Sequence, residues 1–107
     1  MIVYEVNLAV DADVADAYAA WLGPHVEEIL ALDGFLGAEW FAVEAEDGRV
    51  RWCVQYRLRD RAALQRYLDA HAARLRADGL ERFGGRFEAT RRIMTRRAAF
   101  QPATPEA

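Results

Sequence analysis

The chain has no serine and no lysine, and Cys53 is its one cysteine. Without serine there is no serine nucleophile. With one cysteine there is neither an intrachain disulfide nor a CxxC zinc or redox motif. No apolar run approaches the roughly 20 residues that cross a bilayer, so no membrane partner is expected. The opening Met1-Ile2-Val3-Tyr4-Glu5 lacks the basic region and apolar core of a signal peptide. A cytoplasmic location is the expectation. Gly84-Gly85 lacks the context of a phosphate-binding glycine loop, and no cofactor is expected. The net charge of −3 argues against nucleic acid as a partner.

All fourteen basic residues are arginine, and alanine is abundant. This reads as the composition bias of a GC-rich bacterial genome. Arg91, Arg92, Arg96 and Arg97 form a local basic cluster. It reads as a solvated strand end, with anion or nucleic-acid binding as the competing reading. At 107 residues there is room for one domain. A chain of this size buries only about 60–70% of its unfolded surface, so a second copy would help to cover apolar area. The hydrophobic fraction of 53% excludes disorder.

Ile2, Tyr4, Val6, Leu8 and Val10 alternate with Val3, Glu5, Asn7 and Ala9, which predicts a strand with one apolar and one mixed face. Asp11 or Asp13 caps a helix. Its apolar arc runs through Val14, Tyr18, Trp21, Leu22, Ile29 and Leu32. Pro24 either kinks this helix or starts a second segment, and Asp33-Gly34 ends it. Phe35–Glu46 and Val50–Leu58 read as a hairpin around the primed-turn signal Asp47-Gly48. Asp60 caps a further helix with the stripe Leu64, Leu68 and Leu75, ended by Asp78-Gly79. After a turn at Phe83-Gly84-Gly85, Arg86–Met94 is the last strand. Residues 1–97 form the domain, and residues 98–107 read as a disordered tail. The order β-α-β-β-α-β predicts an α+β, ferredoxin-like fold, with both helices on one face of a four-stranded antiparallel sheet.

Both histidines fall near the middle of their helices' apolar arcs, so His25 and His71 should face the sheet. There they meet Tyr4, Trp52 and Tyr56, with Trp21 beside His25. Such a layer forms a polar-tipped pocket for a small apolar or aromatic ligand. A buried histidine with a displaced pKa suits proton transfer, which makes His25, Tyr56 and His71 the candidate catalytic residues. If the helix restarts at Pro24, the positive end of its dipole also disfavours a charged His25. The competing reading is a core histidine bonded to a backbone group or a tyrosine. No metal site is expected, because two histidines lack a third ligand with Cys53 across the sheet.

The mixed sheet face offers a second candidate in Asn7, Gln55 and Arg57 beside Glu5. They would be either a polar cleft between subunits or cross-strand pairs that fix a dimer's register. The apolar part of that face, Val3, Trp40 or Phe41, and Cys53, predicts a homodimer.

Several stretches resemble an uncharacterised bacterial domain-of-unknown-function family. They are Met1–Asn7, Trp21 with His25-Val26, Gly34-Phe35 with Gly37-Ala38, Val54-Gln55-Tyr56, Tyr67-Leu68 with His71-Ala72, and Leu75-Arg76-Ala77 through Arg82-Phe83-Gly84. The resemblance covers nearly the whole chain. That family is similar to the dimeric α+β barrel superfamily, which includes antibiotic-biosynthesis-type monooxygenases, EthD-like proteins and muconolactone-isomerase-like enzymes. The resemblance implies a dimeric α+β barrel and carries over no catalytic residue. It leaves three roles open: a small-molecule binder, a cofactor-independent monooxygenase, isomerase or cyclase acting on an aromatic or polyketide-like compound, and a purely structural or regulatory dimer.

Overall fold

A computed structural model of the protein describes residues 1–103. Strand β1 (Ile2–Val10) leads through a 3-10 turn (Ala12–Val14) into helix α1 (Ala15–Leu30). Strands β2 (Phe35–Val43) and β3 (Val50–Leu58) follow, then helices α2 (Arg61–Ala70) and α3 (Ala72–Phe83). A second 3-10 turn (Gly84–Arg86) precedes strand β4 (Phe87–Thr95). The sheet order is β2-β3-β1-β4 with every neighbouring pair antiparallel. This is the ferredoxin-like α+β fold, with its second helical region in two pieces. Residues 98–103 carry no regular structure, and residues 104–107 of the expected tail lie outside the described residues.

The period-2 alternation of β1 gives the sheet two unlike faces. Tyr4 lies opposite Tyr56, Val6 opposite Val54 and Leu8 opposite Trp52. These residues face the helices. They pack with Tyr18, Leu22 and Ile29 of α1, Leu64 and Tyr67 of α2, and Leu75 of α3 in one core. The outer face carries Glu5 opposite Gln55 and Asn7 opposite Cys53. Leu58, Leu64, Val10 and Val54 are the largest fully buried side chains.

Five details differ from the sequence reading, each for a local reason. Helix α1 runs unbroken through Pro24. Pro24 and Ala20 are both exposed, so the Ala20 carbonyl that proline leaves without a donor stays on the wet side. No helix restarts there, and His25 lies in mid-helix, away from any helix N-terminus. Asp11 and Asp13 make no capping bond. Arg86 takes both carboxylates instead, and Arg49 also pairs with Asp11 at 3.2 Å. Asp60 does cap α2, accepting from the Ala63 N–H at 2.8 Å.

The second helical region breaks at His71, whose φ of −129° and ψ of −32° end α2. The break resets the helical phase. Ala72, Leu75 and Gly79 then become the buried positions of α3, and His71 is turned aside. Asp78-Gly79 does not end the helix. Gly79 is instead where α1 docks, since a Cβ there would lie 3.0 Å from Cη2 of Trp21.

The hairpin loop is longer than a two-residue turn, because β2 ends at Val43. Asp47 is engaged by the Arg49 N–H at 3.3 Å and by the Arg51 guanidinium. The resulting register pairs Phe41 with Cys53 and Trp40 with Val54. Phe41, not Trp40, therefore stands on the outer face. A bulge between Phe35 and Gly37 swings Phe35 to the inner side, against Tyr56 and Tyr67.

Gly34 joins α1 to β2 at φ +89°, and a Cβ there would lie 2.3 Å from Cβ of Ala63. Both the backbone strain and the clash penalise any larger residue. Gly34→Ala is expected to cost roughly 2–4 kcal/mol in urea unfolding. A change within about 0.5 kcal/mol would contradict this packing of α2 on the α1–β2 turn.

Candidate functional site

Between the helices and the inner sheet face lies a cavity with about 50 Å³ open to the centres of water-sized molecules. Its floor comes from β1 and β3, where Tyr4, Val6, Val54 and Tyr56 stand side by side. The α1 residues Tyr18, Trp21 and His25 form one wall, and Tyr67, Arg76 and Gly79 form another. Phe87 and Arg91 of β4 complete it. The Trp21 indole stacks on the His25 ring at 4.3 Å and donates to Asp78 at 2.9 Å. That bond fixes the wall that positions His25.

The polar atoms here are incompletely matched. Arg76 Nη2 donates to the Tyr4 hydroxyl at 2.7 Å. His25 Nδ1 and Arg76 Nε are buried and have no hydrogen-bond partner among the described residues. Burial lowers the pKa of His25 below 6.5, with Glu28 and Asp78 opposing and Arg91 assisting. The imidazole is therefore neutral at pH 7. Burial likewise pushes the Tyr18 and Tyr67 phenols up to about 12. It drives Tyr56 further in the same direction. All three remain protonated donors, and the positive charge of Arg91 reaches each of them.

Of the residues singled out from sequence, His25, Tyr56, Tyr4 and Trp21 meet at this cavity. Trp52 shares the inner face but lies outside it, packed edge-on against Trp40 at 5.1 Å. His71 does not face the sheet. It stands at the α2–α3 break near Leu32 and Tyr67, with Nδ1 3.3 Å from Arg74 Nη2. The 100° periodicity failed because it was carried across a break that nothing in the apolar stripe announces. Arg76 and Arg91 were missed as cavity residues. Alternation along β4 carries the signal for Arg91, since Phe87, Ala89 and Arg91 share a face. Arg76 directly follows the inward Leu75.

Asn7, Gln55 and Arg57 lie on the outer face, as the strand pattern requires. Asn7 and Gln55 each donate to the Glu5 carboxylate at 2.9 Å, and Arg92 closes over it. Glu5 is 3% exposed although it stands on the outer face. Arg57 turns away, lies over Gly37 and pairs with Glu39 at 3.1 Å. Arg92 above all, and then Asn7, hold the Glu5 pKa down from 4.5 to about 2. Cys53 adjoins this network, and burial first, then the Glu5 charge, raise its thiol pKa. A thiol so placed is a poor nucleophile at neutral pH.

The fold is shared with known ferredoxin-like structures. A proposed antibiotic biosynthesis monooxygenase of Deinococcus radiodurans is 14% identical, with a TM-score of 0.72 over 97% of this chain and 100% of that one. SnoaB, a cofactor-independent oxygenase of Streptomyces nogalater, is 15% identical, with a TM-score of 0.68 over 94% and 98%. A dimeric ferredoxin-like protein from an uncultured marine organism is 10% identical, with a TM-score of 0.73 over 95% and 100%. At these identities the likeness establishes the fold alone. By sequence, residues 1–97 match the family described as Domain of unknown function (DUF4286), and the chain belongs to that family. No curated protein matches it by sequence.

Two groups with buried atoms, His25 and Glu5, tie stability to pH with the same sign, to which the lowered pKa values of Asp11, Asp47, Asp60 and Asp78 at the surface add. His25 is neutral in the fold but takes a proton near pH 6.5 when unfolded. Glu5 is held ionised in the fold down to about 2 but is protonated from about 4.5 when unfolded. Stability is therefore expected to fall in two windows, one opening below pH 6.5 and one between about pH 4.5 and about pH 2. Glu5→Gln should make the second shallower and leave the first. An acid limb of the same slope in this variant, measured by urea unfolding at stepped pH, would contradict the network.

Proposed function

We propose that the protein is a homodimer that binds a small, largely apolar aromatic molecule between its helices and sheet. The observation that carries this reading is the buried His25 Nδ1, left without a protein partner at an aromatic-walled cavity. Buried polar atoms are almost always satisfied, so such an atom beside open space favours a partner from outside. Trp21, Tyr18 and Phe87 offer ring faces and edges to a flat molecule. The Tyr56 phenol offers a donor. A filled layer, which a purely structural dimer would have, fits the cavity less well.

An enzymatic role on the same site rests on the lowered pKa of His25. A neutral imidazole beside protonated phenols is a competent base for an acidic phenol or enol. That supports cofactor-independent monooxygenase, isomerase or cyclase chemistry as the alternative, with Tyr56 as the neighbouring donor. Turnover of a bound compound separates it from simple binding.

The dimer reading rests on the outer sheet face. Phe41 and Val43 are 43% and 45% exposed there, around the closed Glu5 network. Pairing two such faces would cover apolar area that a small chain cannot bury alone. Light scattering after gel filtration is expected to give twice the chain mass, and Phe41→Arg to give a monomer. A monomeric wild type at high concentration would contradict it.

Binding is tested by titrating benzamide and following the Trp21 indole and His25 imidazole signals by NMR. Both are expected to shift and saturate. Val6→Phe, which fills the cavity at a cost of about 1–3 kcal/mol, should remain folded and lose the response. His25→Gln should weaken binding about tenfold with little change in melting temperature. The absence of saturable shifts, or shifts confined to the outer face, would overturn the reading.

A further inference from the structure

We propose that the cavity selects an anionic aromatic ligand, an aryl carboxylate or an ionised phenol, with Arg91 at its mouth and Arg76 inside. This rests on the binding role proposed above and adds the sign of the ligand's charge. The lining contains two arginines and a histidine but no aspartate or glutamate, although the chain has 17 acidic residues and a net charge of −3. Outside the cavity most arginines are matched to acids, and Arg61, Arg96 and Arg97, which form no ion pair among the described residues, are on the exposed surface. Arg92 holds Glu5, Arg86 holds Asp11 and Asp13, Arg82 holds Asp78 and Arg74 holds Glu28.

Neither Arg76 nor Arg91 forms an ion pair among the described residues. Arg76 spends one Nη on the Tyr4 hydroxyl and leaves its buried Nε unmatched. The acids closest to the cavity are already engaged. Asp78 accepts from Trp21 at 2.9 Å and Arg82 at 3.1 Å, and Glu28 accepts from Arg74 at 3.3 Å.

Two guanidinium groups with spare donors, Arg76 with its buried Nε inside and the exposed Arg91 at the mouth, form a site for a carboxylate or phenolate oxygen. The surrounding rings take the flat remainder of the ligand. Three protonated phenols, Tyr18, Tyr56 and Tyr67, add further donors and no acceptor of negative charge. A neutral aromatic molecule satisfies the walls but leaves the arginines as they are. An aromatic cation meets two like charges with no acid in the lining to compensate them.

The test compares benzoate with benzamide, which match in size and shape and differ in charge. Each is titrated into the full-length protein at low ionic strength, with the Trp21 and His25 NMR signals as readout. Benzoate is expected to bind roughly tenfold or more tightly than benzamide. Arg91→Gln, at an exposed position, is expected to reduce that ratio towards one, and Arg76→Gln to do the same. Arg96→Gln, outside the cavity, should leave the ratio unchanged. Equal binding of the two probes, or a ratio that survives Arg91→Gln, overturns the anion proposal and leaves the binding role standing. If neither probe binds, both fall.

Discussion

The antiparallel pairing of β1 with β3 is the constraint on which the rest of the structure depends. Its register runs unbroken from Ile2 opposite Leu58 to Val10 opposite Val50. With a side-chain period of two, that register places Tyr4 beside Tyr56 on the inner face and Glu5 beside Gln55 on the outer one. A slip of one residue would exchange the faces and put Glu5 into the aromatic layer. The Glu5 network opposes such a slip, because its carboxylate is satisfied only where Asn7, Gln55 and Arg92 converge. The outer polar cluster and the inner aromatic cavity are thus two consequences of one strand pairing.

The helices then divide the inner layer into filled and open parts. Leu64, Leu58 and Val10 close the core completely. Trp21 keeps the other part open by docking on Gly79 and Asp78 instead of filling the space above Val6 and Val54. Its stacking holds His25 over that space, where burial keeps the imidazole neutral. A cavity that takes a benzene ring measures about 150 Å³, against about 50 Å³ here, so a single ring enters only with some shift of the lining side chains and a large polyketide demands far more. Its chemistry is that of donors, phenols and guanidinium groups, beside a neutral histidine that offers one donor and one acceptor.

The fold was legible in the sequence because its strands alternate cleanly and its turns carry Gly. The inward positions of Tyr4, Tyr56 and His25 follow from those periods alone. What could not be read were the features set by side-chain partnerships distant in the chain. His71 lost its inward place to a backbone break between two helices of similar amphipathicity. Asp78-Gly79 carries a helix-stop signal, yet it serves as the seat for Trp21, 57 residues earlier. The choice between Trp40 and Phe41 on the outer face hung on a hairpin register that the Asp47 contacts decide. Arg91 looked like part of a solvated basic run, because its role depends on the acids that the cavity lacks.

The central claim is that the space beneath His25 receives a ligand. A crystal structure of the protein soaked with benzoate tests it most directly. The account predicts density for one ring between Trp21 and the β1–β3 floor, with its carboxylate against Arg91 or Arg76 and an edge within hydrogen-bonding reach of His25. A cavity closed by its own side chains, or ligand density only on the outer face around Glu5 and Phe41, would contradict it.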